Sequence, residues 1–571
     1  MFDDLLENAA AARAESGNLR AVERVCAMPE RFLEDDTSLV PKWSARFRRH
    51  AKAPPLLPKQ AETLEECELN AALPGVGVFG ALGVGAGKTL TFLLMSRVFG
   101  AKRPLYLTFA SLVEKTQRDI FEWSQHYDFD VPEIVSYERL SQEDSSDFLT
   151  RMAPDLIMAD EAHALANPTA ARTKRFTRYI KTNPETRFAC MSGSFGGGEI
   201  ARIHHLSMFA LRDFSPLPHE KTEADRWGAV LDADAEPGAR ELNNLWPLVE
   251  WAGTQGIGDH ADAGRLAFQK RFRTAPGVVS TSDMSCDVPI VLTPWRPRTS
   301  ELVKDALRMV AQYKRPDGEP MVFAAEKSAC AKQASLGFYL VWDWPDGAVD
   351  TDWLDARRAW AGGVRRYLTR YAREKCDSPA LVEKMVRAGG GPSELRHMLE
   401  CWDAQAEKRF YDPDSQKYLP HPPQRAVWFD LTMMANVVRW GLSQQQAIVW
   451  YYNPSVGEML SDLGMYCPRG EEPDFKASPV VALSMNIYGT GFNLQSWNNQ
   501  LVLQPPSGAV MWEQMLGRTH RTNQLAPRVD AAVYMGTFPY INAVQKALHR
   551  SAFAEDALAQ KQRLLQAVWA Q

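Results

Sequence analysis

Cysteine is sparse in this chain. Its 8 cysteines are scattered through 571 residues, with no C-x-x-C pair among them. That spacing argues against zinc sites and disulfide frameworks and fits a reducing, intracellular compartment. No apolar run is long enough to span a bilayer. The opening residues, MFDDLLENAAAARAESGNLR, lack a basic stretch followed by an apolar core, so no secretory signal is read there. Neither sign of charge dominates: 65 Lys and Arg stand against 70 Asp and Glu, a net −5. This excludes a surface that coats nucleic acid indiscriminately, yet basic residues can still gather inside a cleft. Solenoid-period repeats and low-complexity tracts are also missing. What is left is ordinary globular composition, 45% hydrophobic and 24% charged. The length exceeds what one core sustains and predicts two or three domains in a cytoplasmic protein without a membrane partner.

Short apolar runs alternate with helical stretches from about residue 75 to 195: GVGVFGAL, PLYLTFA, EIVSY, LIMAD and FACMSG. A second series spans about 426–540, with AIVWYY, VVALSM, NQLVLQ and AAVYMG. Buried strands between helices predict parallel α/β sheets. The expected organisation is a polar helical lead-in over 1–54, a first sheet lobe over 55–215, a largely helical region over 216–425, a second sheet lobe over 426–540, and one long C-terminal helix over 541–571.

The strand at 75–82 runs into GVGAGKTL, residues 83–90, and then into a helical run. Small residues in such a turn let backbone N–H groups curl around phosphate, and the helix start adds its dipole. Gly83, Val84, Gly85, Ala86 and Gly87 would form the cradle. Lys88 would supply a point charge for the terminal phosphates, and Thr89 a hydroxyl for Mg²⁺. The accidental reading, a glycine-rich turn with a stray lysine, is weakened by the flanking strand and helix. LIMADEAH at 156–163 then delivers Asp160 and Glu161 to a strand end, where open α/β sheets bind ligands. Asp160 would hold Mg²⁺ through water. Glu161 would orient and deprotonate the attacking water, a division of labour sufficient for phosphoryl transfer.

With these motifs in place the chain resembles helicase superfamily 2, the DEAH-box class that works on ATP. SGS at 192–194 (Ser192, Gly193, Ser194) is similar to the motif that couples hydrolysis to lobe movement. LTFASLVEKTQRDI at 107–120 and IVSYERL at 134–140 resemble the first-lobe nucleic-acid motifs. In the second lobe SMNIYGTGFNLQ at 484–495 and QMLGRTHRTNQ at 514–524 resemble the fifth and sixth motifs, and LLPKQ at 56–60 the upstream glutamine motif. The S-Y-E, G-F-N-L and G-R-T-H-R runs bring the likeness nearest to Swi/Snf-type ATPases. RFRTAPGVV at 271–279 and WLDARRAW at 353–360 resemble the middle region of helicases encoded by tailed phages.

The resemblance implies two RecA-like lobes that close on ATP and Mg²⁺. It puts Gln60 on the adenine and Gln514 beside the nucleotide. Trp43, seventeen residues before Gln60, matches the distance at which some relatives stack an aromatic on adenine. Arg518 and Arg521 stand three apart on a helix predicted to begin near Ala509, so both can face the γ-phosphate from the opposite lobe as arginine fingers. The second lobe has no glycine-rich loop of its own. Nucleic-acid contacts are expected to be mostly to phosphate. Ser111 and Ser136 are the first-lobe candidates; Thr490 and Gly491 are those of the second.

The middle region adds ARRAWAGGVRRYLTRYAREK at 356–375, with seven basic residues against one acid. Trp360, Tyr367 and Tyr371 fall on one helical face, and the paired glycines at 362–363 weaken a continuous helix. Two readings stand together: a DNA-tracking surface formed by Arg357, Arg358, Arg365 and Arg366, or solvated arginines on a helix whose aromatic stripe packs inward. The expected activity is ATP-driven movement along DNA, duplex or forked. Its setting would be replication, recombination or repair of a phage genome in host cytoplasm, with replication or recombination proteins as possible partners. An RNA helicase and a non-catalytic ATP-binding adaptor are the alternatives.

Overall fold

The computed structural model describes residues 18–570, apart from 34–35, 84, 143–144, 194, 196, 281–285, 320, 322–323, 345–346, 372–378, 413–416, 420–421 and 522–523. Two six-stranded sheets organise the chain. The first contains β1 (Val78–Ala81), β2 (Pro104–Thr108), β3 (Glu133–Ser136), β4 (Leu156–Asp160), β5 (Arg187–Met191) and β6 (Val278–Ser280). Their order is β3-β2-β4-β5-β1-β6, and every pairing is parallel. The helices around them include α1 (Leu39–Phe47), α2 (Pro58–Ala71), α3 (Lys88–Val98), α4 (Val113–Ser124) and α5 (His260–Thr274).

Strands β1, β2, β4 and β5 are buried on both faces, which is why they read as continuous apolar runs, whereas the edge strand β3 is only partly buried. In β4, Ile157 and Ala159 join one core with Trp227, Phe268 and Phe272. Leu156 and Met158 face the opposite core with Trp43 and Leu93.

The second sheet starts earlier in the chain than the sequence predicts. β7 (Ile290–Trp295) belongs to it. An antiparallel pair follows, β8 (Phe338–Trp342) with β11 (Gln424–Trp428). Between those two strands lie α6 (Thr351–Tyr371), α7 (Pro379–Arg387), α8 (Ser393–Ala406) and a hairpin, β9 (Phe410–Asp412) with β10 (Lys417–Leu419). The sheet continues with β12 (Ala447–Tyr451), β13 (Val480–Ser484), β14 (Asn499–Val502), β15 (Val529–Tyr534) and β16 (Val568–Trp569). Its order is β13-β12-β14-β15-β7-β16, again parallel throughout. α9 (Ala509–Thr519) and α10 (Phe538–Leu558) complete the elements used below. The chain is thus α/β with two parallel-sheet lobes, an architecture compatible with two RecA-like lobes.

The sheets draw boundaries different from those expected. The chain after residue 215 does not leave the first lobe: Leu217, Trp227, Leu231, Leu248 and Phe272 lie in its core, and β6 closes its sheet. The separate helical unit is smaller, α6 to α8, with a core of Trp360, Val364, Val382, Val386, Leu395 and Leu399. The paired glycines do not break α6. A Cβ at Gly363 would come within 2.6 Å of the Met398 sulfur, so the glycine permits close approach of α6 to α8. Nor is the C-terminus one long helix. α10 stops at Leu558, Ala559 turns left-handed at φ 52°, and the chain returns to add β16. Among the described residues no helix is long and apolar enough to cross a membrane.

Candidate active site

The glycine-rich turn links β1 to α3. Gly85 and Gly87 have φ of 93° and 74°, values that suit glycine and curl the backbone back toward the helix start. A Cβ at Gly87 would sit 2.3 Å from the Gln60 side-chain nitrogen, whereas Gly83 faces open space. Ala86 is half-buried in the same turn, and Val84 lies outside the described residues. Lys88 and Thr89 open α3, so the first N–H groups of the helix have no partner within it. Lys88 is only 11% exposed. Its Nζ lies 3.4 Å from Glu161 Oε1 and donates to the Leu82 carbonyl at 3.3 Å.

Asp160 ends β4, and Glu161 follows in a left-handed conformation, φ 50°. That backbone is strained for a residue with a side chain. It turns the Glu161 carboxylate onto Lys88 and His163, whose Nδ1 is 3.3 Å from Glu161 Oε2. Burial pushes the Glu161 carboxyl up, but Lys88 and His163 outweigh it and hold it well below the usual carboxylate range. Asp160 moves the other way: burial and the Glu161 charge raise it against the pull of Lys88. The Tyr106 hydroxyl donates to Asp160 Oδ2 at 3.0 Å and also meets Thr89. Tyr137 donates to the Asp160 carbonyl at 2.7 Å. Ser192, at the end of β5, has its Oγ 3.0 Å from His163 Nδ1 and donates it to Glu161 Oε2 at 3.3 Å. Gly193 follows, buried; Ser194 lies outside the described residues.

The second lobe presents α9 to this cluster. Gln514 and Arg518 are buried on it. Arg518 Nε donates to the Gln514 carbonyl at 3.1 Å, and its guanidinium donates to the Phe492 carbonyl at 3.3 Å. Burial and the neighbouring Arg521 and Arg563 push Arg518 down to about 10, while Glu161, across the cleft, pulls it up. Arg521 is lowered by burial and Arg563 and feels Asp119 of α4 in the first lobe. The two arginines do not share a helix face as their spacing predicts. α9 ends at Thr519, and His520 leaves helical geometry with ψ 82°. The His520 ring is anchored on the Val288 carbonyl at 2.6 Å, which draws the chain out of the helix and puts Arg521 just past its end. Both arginines still interact with first-lobe carboxylates.

Two expected adenine contacts are placed differently. Gln60 Nε2 donates to the Gly87 carbonyl at 3.0 Å, and Oε1 accepts from Leu57 N at 2.7 Å. Its amide braces the phosphate turn. Trp43 is fully buried. It stacks on Phe47 at 5.8 Å, carries Arg46 4.8 Å from its ring, and donates Nε1 to Glu65 at 2.9 Å. With its faces and nitrogen engaged, Trp43 is a core residue and not a stacking platform.

Thr89 and Asp160 are the side chains fit to hold Mg²⁺. Among the described residues no group of three His, Cys, Asp or Glu could hold a metal alone. Of the nucleic-acid candidates, Ser111 is exposed just after β2. Ser136 ends the adjacent β3, in register with Thr108; its Oγ accepts from Arg139 N at 3.1 Å. Thr490 and Gly491 follow β13, and a Cβ at Gly491 would come within 2.8 Å of Leu112. Ser111, Thr490 and Gly491 therefore flank one seam between the lobes, with Ser136 at the same sheet edge.

The arginines of α6 are divided. Arg357 covers the Trp342 and Trp353 rings, 5.3 Å from each centroid. Arg358 and Arg366 are exposed beside Asp355 and Glu394. Arg365 lines a cavity with Trp360 and with Thr169 of the first lobe. Trp360 and Tyr367 pack into the core of the helical unit; the Tyr371 side chain lies outside the described residues.

His163, Tyr106 and Tyr137 belong to the cluster but were not foreseen. His163 was readable as the last residue of D-E-A-H. The tyrosines carry no signal, being ordinary members of apolar strand runs. No protein-family model and no curated protein sequence matches the chain.

Proposed function

We propose that this chain is a nucleic-acid-stimulated ATPase of helicase superfamily 2, which hydrolyses ATP with Mg²⁺ to move along DNA. One observation carries the reading. Lys88, Asp160, Glu161 and Ser192 gather on one lobe at the end of a parallel sheet, and from a second parallel-sheet lobe Arg518 comes within reach of the Glu161 charge, with Arg521 beside it and toward Asp119 of α4. A site divided in this way makes closure of the lobes and completion of the site the same event.

Lys88 is the charge that neutralises phosphate oxygens. In this arrangement Glu161 holds it, and a bound phosphate would compete for it. Glu161 is ionised but its basicity is suppressed by Lys88 and His163; a bound phosphate that draws Lys88 away would restore it, so that Glu161 could orient and deprotonate the attacking water. Arg518 and Arg521 add positive charge from the far side, where it counts most as charge develops in the transition state. Bound Mg²⁺, held by Thr89 and Asp160, would neutralise phosphate charge. The seam lined by Ser111, Thr490 and Gly491 offers small polar groups to a phosphate backbone, the kind of contact that positions nucleic acid without reading its sequence. The Swi/Snf-like motifs favour DNA over RNA, and the likeness of 271–279 and 353–360 to helicases encoded by tailed phages would put the activity in replication, recombination or repair of a phage genome in host cytoplasm.

Lys88→Ala should nearly abolish ATP turnover. Glu161→Gln should bind ATP and hold it without turnover. Wild-type hydrolysis by both variants would refute the site.

A further inference from the structure

A buried polar path outside the cleft joins its two sides. α10 straddles the lobes: Tyr540, Val544 and Ala547 pack into second-lobe cores, while Phe553, Ala557 and Leu558 sit in the first-lobe core. Gln269 of α5 donates to the Glu555 carbonyl at 2.6 Å. After the left-handed turn at Ala559 come Gln560, Gln562 and Arg563, exposed by 0, 1 and 2%. Burying such groups costs free energy unless each finds partners. The Gln560 side-chain nitrogen and Arg563 find theirs in the two halves of the proposed site, whereas Gln562 bonds within the tail and Gln560 Oε1 has no hydrogen-bond partner among the described residues.

Gln560 Nε2 donates to the Ser192 carbonyl at 3.2 Å. Ser192 is the residue whose hydroxyl touches both Glu161 and His163. Gln562 Nε2 donates to the Gln560 carbonyl at 3.2 Å. Arg563 N donates to Glu513 Oε2 at 2.9 Å, and the guanidinium forms an ion pair with the same carboxylate. Arg563 Nε also donates to His520 Nδ1 at 3.1 Å and to the His520 carbonyl at 3.3 Å. Glu513 is on α9 with Arg518, and His520 directly precedes Arg521. The tail therefore runs from the segment that orients Glu161 to the segment that aims both arginines. Simple adhesion would not call for this chemistry. A buried ion pair is often matched or bettered by apolar side chains of the same volume, so as glue it is a weak choice. What it adds is fixed orientation.

We propose that Gln560 and Arg563 are positioning residues, which seat the Ser192 segment and the Arg518–Arg521 segment in register across the cleft. The inference rests on the cleft being the ATPase site, and its test has one readout independent of activity. In hydrogen–deuterium exchange by mass spectrometry, Gln560→Leu and Arg563→Met should each speed exchange in segments 188–193 and 514–521, leaving α6 to α8 unchanged. In ATP turnover each should lower kcat by about tenfold to a hundredfold, the scale of a small misplacement of catalytic groups. KM should move by no more than about twofold, since ground-state binding is untouched. Arg563→Lys keeps the charge opposite Glu513 and should recover part of the loss. In an Arg521→Ala background Arg563→Met should cost no more than about twofold further, because residues acting as a unit are not additive.

Exchange that rises uniformly, or not at all, would overturn the positioning role. So would full kcat in Gln560→Leu and Arg563→Met when the wild type is active. A wild type that turns over no ATP would refute the proposed activity, and the exchange pattern would still decide for or against the positioning role.

Discussion

Replacing Arg518 or Arg521 by alanine separates what these residues do for catalysis from what they do for the fold. Arg518 is 7% exposed and gives charged hydrogen bonds to the Gln514 and Phe492 carbonyls. Two such bonds stabilise by about 3 kcal/mol or somewhat more. Against this, burial lowers the guanidinium to about 10, which is about 3 kcal/mol of cost in keeping it charged. The two contributions nearly cancel. Arg518→Ala should therefore change unfolding free energy by no more than about 1 kcal/mol, the residue of that cancellation. Arg521 lies past the end of α9 and half-buried, so its removal should be nearly neutral as well. Turnover should behave differently. An arginine finger contributes about 10³–10⁵ in rate, equivalent to about 4–7 kcal/mol of transition-state stabilisation. The assay is steady-state ATP hydrolysis, with nucleotide affinity measured by a fluorescent ATP analogue and stability by urea unfolding. The expected pattern for both variants is a collapse of kcat, a small change in affinity and near-native stability. A loss of several kcal/mol in stability for Arg518→Ala would make it a structural residue. Equal loss of affinity and kcat for Arg521→Ala would mean that it holds ground-state ATP, and either result refutes the reasoning.

Trp43→Ala should destabilise the first lobe by about 3–5 kcal/mol, the range for emptying a large aromatic site. Nucleotide affinity measured on the folded fraction should be unchanged, whereas a selective loss of affinity would restore an adenine role. Changing Arg357, Arg358, Arg365 and Arg366 together to Gln should flatten the slope of log DNA affinity against log salt by up to about 3–4 units, at about 0.9 per phosphate contact; an unchanged slope with intact folding would remove α6 from the DNA path. His520 donates from one ring nitrogen and accepts on the other, so the fold keeps it neutral, and burial and Arg563 lower it to about 4 from 6.5. Because the folded value is depressed, its contribution to stability is full above about pH 6.5 and is lost as pH falls toward 4. Unfolding free energies across that window should show this component, and His520→Gln should remove it; an identical pH profile in the variant would contradict the neutral, buried assignment.

Strands β1 to β5 and β12 to β15 were legible because each is a run of apolar residues bounded by turns, and the parallel sheet buries both of its faces. The cluster around Lys88, Asp160 and Glu161 was legible because a glycine turn and an acidic strand end each need particular residue types at particular places. The first-lobe boundary was not. β6 is three residues long, and the amphipathic helices that precede it show an apolar face without showing which lobe covers it. β7 and β16 were missed for a related reason, since sheet membership at such distances is a tertiary fact. Gly363 read as a weakness in a helix because its use, contact with Met398, lies on another element. Trp43 read as a stacking residue because spacing along the chain is blind to the Phe47, Arg46 and Glu65 that enclose it. Gln560 and Arg563 are polar residues in a C-terminal segment, where burial is the last thing composition suggests.

The most direct test of the account is ATP turnover by the purified chain alone, with duplex DNA, with single-stranded DNA and with RNA. The account predicts that duplex DNA stimulates turnover at least as well as single strands, and that the stimulated chain displaces a third strand from a triplex. Turnover that no polymer stimulates, or that only RNA stimulates, would contradict it.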